Sequence, residues 1–422
     1  MQGPGKGVIV NSMILALFED EFAGNLNPLA HLRPVYDLKF GIRSIREKYL
    51  RIFGDEFISL HCRAELASVM ADRNPKAEIN TYSADKYIFI NGRSVIPEKE
   101  LEKISSDEDL LYTNNGKIAA AVLTGDNLKK IRAAGGKLLS REDFPDLNEK
   151  AIKCLWLDYP WELFLENGNE IEREFEGPKM EGNLYDSAVV LNSDMISVSE
   201  GVKIKPGTVL DAEEGPIIIA PGVHIMSNSV IQGPVYIGEN SVIKAGARIY
   251  GSTSIGEECK VGGEVSNSII HSYSNKQHDG YLGNSYIGKW VNLGADSNNS
   301  DLKNNYRKVK FYVDGKFIDT GTIHCGLIMG DHTKVGINTM FNTGTNVGTA
   351  CNIYGGGFPP KFIPSFSWGG ADGMTEHILE KAIDTAARVM ERREVTLASS
   401  EIDLLNSLFD RTAAERNKAF SG

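Results

Sequence analysis

The stretch that decides the fold is Ile219-Ala-Pro-Gly-Val-His-Ile225-Met-Ser-Asn-Ser-Val-Ile231-Gln-Gly-Pro-Val-Tyr-Ile237-Gly-Glu-Asn-Ser-Val-Ile243-Lys-Ala-Gly-Ala-Arg-Ile249-Tyr-Gly-Ser-Thr-Ser-Ile255-Gly-Glu-Glu-Cys-Lys-Val261. An aliphatic residue recurs at every sixth position, and the beat returns at Ile323, Met329, Val335, Phe341, Val347 and Ile353. A period of six drifts against the 3.6 residues of a helical turn, so this stretch cannot keep one face as an α-helix. It fits a parallel β-helix, in which short strands stack coil upon coil and three hexads close one coil. Gly or Asn often follows three positions after the aliphatic residue, as at Gly207, Gly222, Asn228, Asn240, Gly246, Asn338 and Gly344. These residues tolerate the positive φ that a sharp corner requires. The phase slips between Val261 and Tyr281, holds at Ile287 and Leu293, and is lost over 295–322. Such breaks are where loops leave a solenoid, often on its binding face.

Working outward, residues 13–185 alternate strand-like and helix-like segments. Residues 13–18, 57–60, 87–90 and 118–123 read as buried strands. Residues 38–53 carry a helical stripe of Ile42, Ile45, Tyr49 and Ile52. Asp126 reads as the cap of a helix ending near Gly135, and Pro160 as the first turn of another. This order implies an α/β domain with a largely parallel sheet, whose ligand lies at the carboxyl ends of the strands. Residues 371–422 read as helices that cap the last coil. The expected organisation is a tail over 1–12, an α/β domain over 13–185, a left-handed parallel β-helix over 186–366 and a helical segment over 367–422.

The composition narrows the function. A net charge of −11 argues against a nucleic-acid or anionic-membrane partner. No apolar run approaches 18 residues and no signal peptide is evident. Five cysteines without paired spacing suggest reduced thiols and a cytoplasmic protein.

The phase slip holds His278-Asp-Gly-Tyr281-Leu-Gly283, followed by Asn292-Leu-Gly-Ala295 and then Asn305-Tyr306. These motifs resemble the acetyltransferase half of bifunctional UDP-N-acetylglucosamine pyrophosphorylase/glucosamine-1-phosphate N-acetyltransferases. In that family a His lies three residues before Tyr-Leu-Gly on a loop leaving the β-helix, and an Asn-aliphatic-Gly-Ala turn and an Asn-Tyr pair follow. The spacing from Asn292 to Asn305 is longer here. Gly336–Thr345 and Gly355–Gly370 instead resemble a divergent branch of the same family.

The resemblance implies a function and a set of roles. It makes the chain an amino-sugar phosphate N-acetyltransferase, taking acetyl-CoA as cosubstrate, with a sugar-1-phosphate nucleotidyltransferase-like domain in front. His278 is then the general base, since an imidazole titrates near neutrality. Lys244, Tyr281, Asn292 and Asn305 contact the sugar phosphate, and Ala295 and Tyr306 line the acetyl-CoA site. A second basic residue, expected about twelve positions before the His, is Ser266 here. Homotrimers are the implied assembly, with acetyl-CoA between neighbours.

In the front domain the family's Gly-rich Arg loop is replaced by an acidic one, Glu19 to Pro34, in which only Gly24 and Arg33 offer comparable groups to a nucleotide such as UTP. The strand at 87–90 ends in Asn91, where the family places a metal-binding Asp. A neutral amide is a poor Mg²⁺ ligand. Mg²⁺ in this domain would need other ligands, for which Glu19, Asp20 and Glu21 are candidates; the metal ligands stay open. Two other classes compete. The β-helix can be purely structural or regulatory behind a nucleotidyltransferase, although that leaves a histidine loop unexplained. A zinc enzyme of the γ-carbonic-anhydrase type needs a His pair five apart, whereas His324 and His332 are eight apart.

Overall fold

The computed structural model describes residues 13–54, 57–105 and 107–420. The expected tail at 1–12 lies outside them. The chain forms two compact units. The first comprises the described residues up to Leu26, then Leu32–Leu38 and Arg43–Asp158; the second comprises Asn27–His31, Lys39–Ile42 and the described residues from Tyr159 on.

The first unit is built on a seven-stranded sheet. Its strands are β1 (Ile14–Phe18), β2 (Ile58–His61), β3 (Glu78–Ile79), β4 (Lys86–Asn91), β5 (Leu110–Asn114), β6 (Lys117–Thr124) and β7 (Glu149–Ala151), in the order β7-β5-β6-β4-β1-β2-β3. β1 pairs in parallel with both β2 and β4, whereas β6 runs antiparallel to β4 and β5. The sheet is therefore mixed rather than largely parallel. The tight Asn115-Gly116 turn, with φ of 52° and 76°, reverses the chain between β5 and β6 without a crossover helix. β1 is buried along almost its whole length, as a central strand covered on both faces should be. One face packs an aromatic cluster of Phe18, Tyr82, Tyr87, Phe89 and Phe144.

The helix expected over 38–53 begins only at Ile45. Gly41 turns the chain at φ 73°, and Ser44 caps the helix reciprocally with Glu47. The Glu47 amide donates to Ser44 Oγ (3.2 Å) and the Ser44 amide to Glu47 Oε2 (2.6 Å), so two orphan donors are satisfied where the helix starts. Likewise Asp126 sits inside a 3-10 turn, Gly125–Leu128, and the α-helix is Lys129–Ala134, closed by Gly135 at φ 56°. Pro160 does stand at the first turn of its helix, Pro160–Leu165, followed by Asn167–Glu174. Both helices pack in the second unit rather than against the sheet. Trp161 meets Phe311 edge-on at 5.5 Å, and Asn167 Nδ2 donates to Ser252 O at 2.9 Å.

The second unit is a parallel β-helix. One face stacks Ile217–Ile219, Val235–Ile237 and Thr253–Ile255; a second stacks His224–Ile225, Val242–Ile243 and Lys260–Val261; a third stacks Val230–Gln232 and Arg248–Ile249. Pairing is parallel and in register from coil to coil, so the hexad residues meet at the axis. Ile219, Ile225, Ile231, Ile237, Ile243, Ile249, Ile255 and Val261 are all fully buried in one core, joined by Met329, Val335, Phe341, Val347 and Ile353. Ile323, which shares the beat, is 38% exposed and lies outside this core. Every Gly and Asn named above at a corner has positive φ, from 56° at Asn240 to 76° at Gly207.

The phase slip has a physical origin. The third-face strand begins almost at once after Val261, so Val265, not residue 267, points inward, stacked on Ile249. Gly262 and Gly263 form the shortened corner. Strands Glu264–Ile270 and Tyr281–Ile287 then run continuously across the next corner and pair in parallel along both halves. The next coil still places Asn298–Asn299 against Met340–Phe341, so the chain leaves the coil after Asn299 rather than at 295. The excursion carries an antiparallel hairpin, Lys310–Val313 with Lys316–Asp319, and returns at Leu327–Met329.

The last coil ends in a hairpin of Ser367–Gly370 and Gly373–Glu376, so the helices begin at Leu379 rather than 371. They do more than cap the stack. Phe409 packs edge-on on Phe366 near the last coil, but Arg393, just past helix Leu379–Glu391, reaches Glu258 (3.3 Å) and Asn275 Oδ1 (3.2 Å) several coils earlier. Thirteen residues span about 20 Å, and four coils about 19 Å, so this helix runs back along the second face.

Candidate functional site

The residues singled out by the resemblance gather in part at one edge of the β-helix, between its second and third faces. The strand register sets the column. Lys244 follows Ile243 out of the core; its amide donates to Val261 O, and that of Gly262 to Lys276 O. Lys244, Gly262 and Gln277 are therefore stacked, and His278 stands beside Gln277, two coils or about 10 Å above Lys244. Asn275 pairs with Asn292, which brings Ala295 over His278 in the next coil. His278 itself is exposed, on a loop of Gln277–Gly280 that leaves the strand.

Tyr281 begins the third-face strand beyond this loop. Its amide donates to Asn298 Oδ1 (2.8 Å) and its hydroxyl to Asp301 Oδ2 (2.9 Å), which also accepts from Asn284 Nδ2 (2.6 Å). Burial, then the Asp301 carboxylate, pushes the Tyr281 phenol upward, so it acts as a neutral donor. Below it lie Glu264 and Arg248 in register on the same face. Arg248 Nε is 3.4 Å from Glu264 Oε2, both side chains being well exposed. The sequence reading missed Arg248. It looks like any outward residue before an aliphatic one, and only the register places its guanidinium two coils below Tyr281. The edge thus carries two cations, Lys244 and Arg248; Ser266 follows the inward Val265 and lies at the next corner, between the third and first faces.

Asn292, Asn305 and Tyr306 stand elsewhere. Asn292 points outward on the second face between Asn275 and Lys334, the face along which the C-terminal helix runs. Asn305 and Tyr306 form an exposed turn in the excursion: the Tyr306 amide closes on Lys303 O (2.9 Å), Asn305 Oδ1 accepts the Arg307 amide (3.1 Å), and Tyr306 is 68% exposed. A cavity of about 780 Å³ lies among Tyr312, Phe317, Lys361, Phe362, Met374 and Phe420, and none of the expected residues lines it.

In the first unit the carboxyl ends of β1 and β4 meet as a binding site at a sheet edge should. Phe18 pairs with Asn91, and Asn91 Nδ2 donates to Asp20 Oδ2 at 2.9 Å. Arg93, fully buried, grips Asp20 with Nε on Oδ1 (2.8 Å) and Nη2 on Oδ2 (2.6 Å), and reaches Asp158 Oδ1 with Nη1 (2.5 Å). Lys117 Nζ holds both oxygens of Asp158 at 2.7 and 2.6 Å. Burial alone would raise the Asp158 carboxyl, but these two cations outweigh it and lower it. Phe22 and Trp156 each lie 5.4 Å from the Arg93 guanidinium carbon.

The acidic loop does not assemble a metal site. Glu19 is fully buried; it accepts the backbone amides of Val35 (3.0 Å) and Arg63 (3.1 Å), with Arg63 Nε at 3.3 Å, and burial raises its carboxyl. Asp20 is bound bidentately by Arg93, and Glu21 points to solvent. Among the described residues no three His, Cys, Asp or Glu side chains are grouped to hold a metal ion. Mg²⁺ needs carboxylate oxygens in near-octahedral array; here both nearby carboxylates already carry cations, so the residues do not fit that ion. Gly24 is exposed in the 3-10 turn Ala23–Leu26, whereas Arg33 is buried and its carbonyl accepts from Arg63 Nη2 at 3.0 Å. Neither joins Asn91. The cleft beside Asp20, Asn91, Lys117 and Arg141 holds about 100 Å³, below the 300–1,000 Å³ usual for a ligand pocket.

Comparison with known proteins gives two family matches. Residues 15–180 match the family model described as sugar nucleotidyl transferase, and residues 216–251 the bacterial transferase hexapeptide of six repeats. A bifunctional sugar-1-phosphate nucleotidylyltransferase/acetyltransferase of Sulfurisphaera tokodaii is 34% identical over 170 residues, 40% of this chain and 40% of that protein. The bifunctional protein GlmU of Methylococcus capsulatus is 29% identical over 160 residues, 37% of this chain and 32% of that one. The matched part thus spans about a third to two-fifths of these relatives' length. Among solved structures, UDP-N-acetylglucosamine acyltransferase from Campylobacter jejuni covers 56% of this chain and 94% of its own, at 15% identity and a TM-score of 0.30. A superposition that loose carries no argument here; the fold rests on the strand register and the six-residue core.

Proposed function

We propose that the chain is a transferase that N-acetylates an amino-sugar phosphate, glucosamine 1-phosphate being the foremost candidate, at the His278 edge of its β-helix, and that its α/β unit receives a nucleotide or nucleotide sugar. The observation that carries the reading is the column itself. A solvent-facing histidine stands two coils above Lys244, on the loop that leads into Tyr281, with Arg248 in register two coils below that tyrosine, at a shortened corner of the stack. A structural β-helix has no use for such a loop.

In the proposed reaction His278 takes a proton from the substrate ammonium or from the amine as it attacks. The amine nitrogen bonds to the thioester carbonyl carbon, backbone N–H groups stabilise the oxyanion, and the C–S bond breaks to release CoA. Lys244 and Arg248 supply positive charge for the phosphate, and the Tyr281 hydroxyl, anchored on Asp301, orients the sugar. Ala295 gives a small surface beside His278 for the acetyl end of acetyl-CoA. Asn292, Asn305 and Tyr306 are away from this column within one chain. We assign Asn305 and Tyr306 to a neighbouring copy's edge in a homotrimer, where an excursion of this length has something to reach. The free, largely buried cysteines suit a reducing compartment such as the cytoplasm.

Incubation with acetyl-CoA, UTP, Mg²⁺ and a panel of hexosamine 1-phosphates separates the two halves. Free thiol reads acetyl transfer and pyrophosphate reads nucleotidyl transfer. The reading requires thiol release that depends on an amino-sugar phosphate. Pyrophosphate release without thiol would favour a β-helix that only assembles or regulates the α/β unit.

A further inference from the structure

Inside the solenoid a lysine stands at an inward position of the second face. Lys276 pairs with Val261 and occupies the same place in the next coil, where every preceding hexad from Ile219 on has Ile or Val. Its side chain is 2% exposed. The ammonium does not pair with a carboxylate; it donates to Gly262 O and His278 O, both at 3.0 Å. Room for it comes from Gly263. A Cβ there would lie 2.7 Å from Lys276 Nζ and 2.8 Å from the carbonyls of His278 and Gly280, and Gly263 also needs its φ of 70°. A buried amine is costly, and Leu or Ile would fill this position as well as in the other coils. The lysine and the paired glycines therefore make sense together, as a device aimed at the His278 carbonyl.

We propose that Lys276 is a positioning residue for His278: its ammonium, reaching out from the β-helix core, fixes the backbone of the loop that carries the base. This rests on the proposed role of His278. The charged groups facing the lysine are Asp279, Asp296, Glu264 and Arg248, all at the same edge. None accepts its hydrogen bonds, so the carbonyls determine where the loop sits. Burial brings the amine down to about 8, yet a neutral amine keeps two donors, one for each carbonyl. The tether persists in both protonation states.

The test is a double-mutant cycle on the full-length protein, with release of CoA thiol from acetyl-CoA and glucosamine 1-phosphate as readout. Lys276→Met should lower kcat about tenfold, with the KM for the sugar phosphate changed less than threefold. In a His278→Ala background the same substitution should cost nothing further. Gly263→Ala should reproduce the loss from the other side. Amide hydrogen exchange of residues 277–280 should rise in Lys276→Met while that of the core strands at 235–237 and 242–243 stays unchanged, a readout independent of turnover. Equal losses in both backgrounds would make the lysine merely structural and overturn the proposal, as would unchanged kcat or unchanged exchange of the loop. Full activity of His278→Ala would instead overturn the role of the histidine, and with it the purpose assigned to the lysine. A Lys276→Met chain that fails to fold leaves the decision to Lys276→Gln, which retains an amide donor and should keep more than half of kcat only if donation to the loop is what matters.

Discussion

Arg93 holds both carboxylate oxygens of Asp20, Nε to Oδ1 at 2.8 Å and Nη2 to Oδ2 at 2.6 Å, across 73 residues of sequence. The pair closes the carboxyl ends of β1 and β4, and Asp158 continues it on the far side of the guanidinium. Removing one member leaves a buried charge without its counterion. Arg93→Met is expected to cost about 3–5 kcal/mol, and Asp20→Asn less, since an amide still accepts. Denaturant unfolding followed by hydrogen exchange in β1 and β4 measures both. A loss under about 1 kcal/mol would show that the pair is solvated.

The same pair predicts how the α/β unit treats metal. With Asp20 and Asp158 already neutralised by Arg93 and Lys117, binding of UTP or UDP-N-acetylglucosamine should be insensitive to Mg²⁺ beyond what Mg²⁺ does to the free nucleotide. Calorimetry with the ion and with chelator compares the two. A tenfold tightening that Asp20→Asn removes would place a metal at this carboxylate after all.

How much of this was legible beforehand follows from what kind of signal each feature leaves. The β-helix core was plain because its period is local and repeats, and corner residues such as Asn240 and Gly222 announce themselves by type. The slip after Val261 was visible as a broken beat, but its meaning was not. A lysine in the inward position reads as a polar residue out of phase, and only the register of Lys276 on Val261 shows that it still occupies the core. The start of the helix at Ile45 was written in Ser44-x-x-Glu47, a capping box overlooked beside the apolar stripe. Asp20, Arg93 and Asp158 lie too far apart in sequence for any spacing rule to join them. Arg248 was hidden for the opposite reason, since its neighbours looked ordinary.

Corner geometry gives a stability prediction. Asn240 has φ 56°, and its Oδ1 occupies the space a Cβ on Gly222 would need, at 2.4 Å. Asn240→Gly should be nearly neutral, whereas a β-branched Asn240→Val should cost about 1–3 kcal/mol from the strained backbone. In the core beside it, Ile243→Ala should cost about 2–5 kcal/mol. Urea midpoints rank the three variants, and an Asn240→Val as stable as wild type would contradict the corner assignment.

A second lysine, partly buried on the second face, sets a pH dependence. Lys334 donates to Trp290 O (2.6 Å) and His332 O (3.0 Å), and burial, only partly offset by Asp331, brings it down to about 7. Its folded value lies below the unfolded value near 10.5, so the unfolded chain holds more protons between those limits and stability rises with pH through that window. The full span is worth at most about 5 kcal/mol. The urea midpoint of the wild type should therefore climb from pH 7 to pH 9 relative to that of Lys334→Met. Parallel curves would mean that the amine is solvated.

The most direct test of the central claim is the rate of CoA thiol release by His278→Ala, with acetyl-CoA and glucosamine 1-phosphate both saturating. His278 lies on an exposed loop outside the hexad core, so the variant should fold and assemble as the wild type does. Loss of a general base costs about 10²–10⁴-fold, and the account predicts a fall in that range with an unchanged circular dichroism spectrum. A folded variant that releases thiol within threefold of the wild-type rate would contradict it.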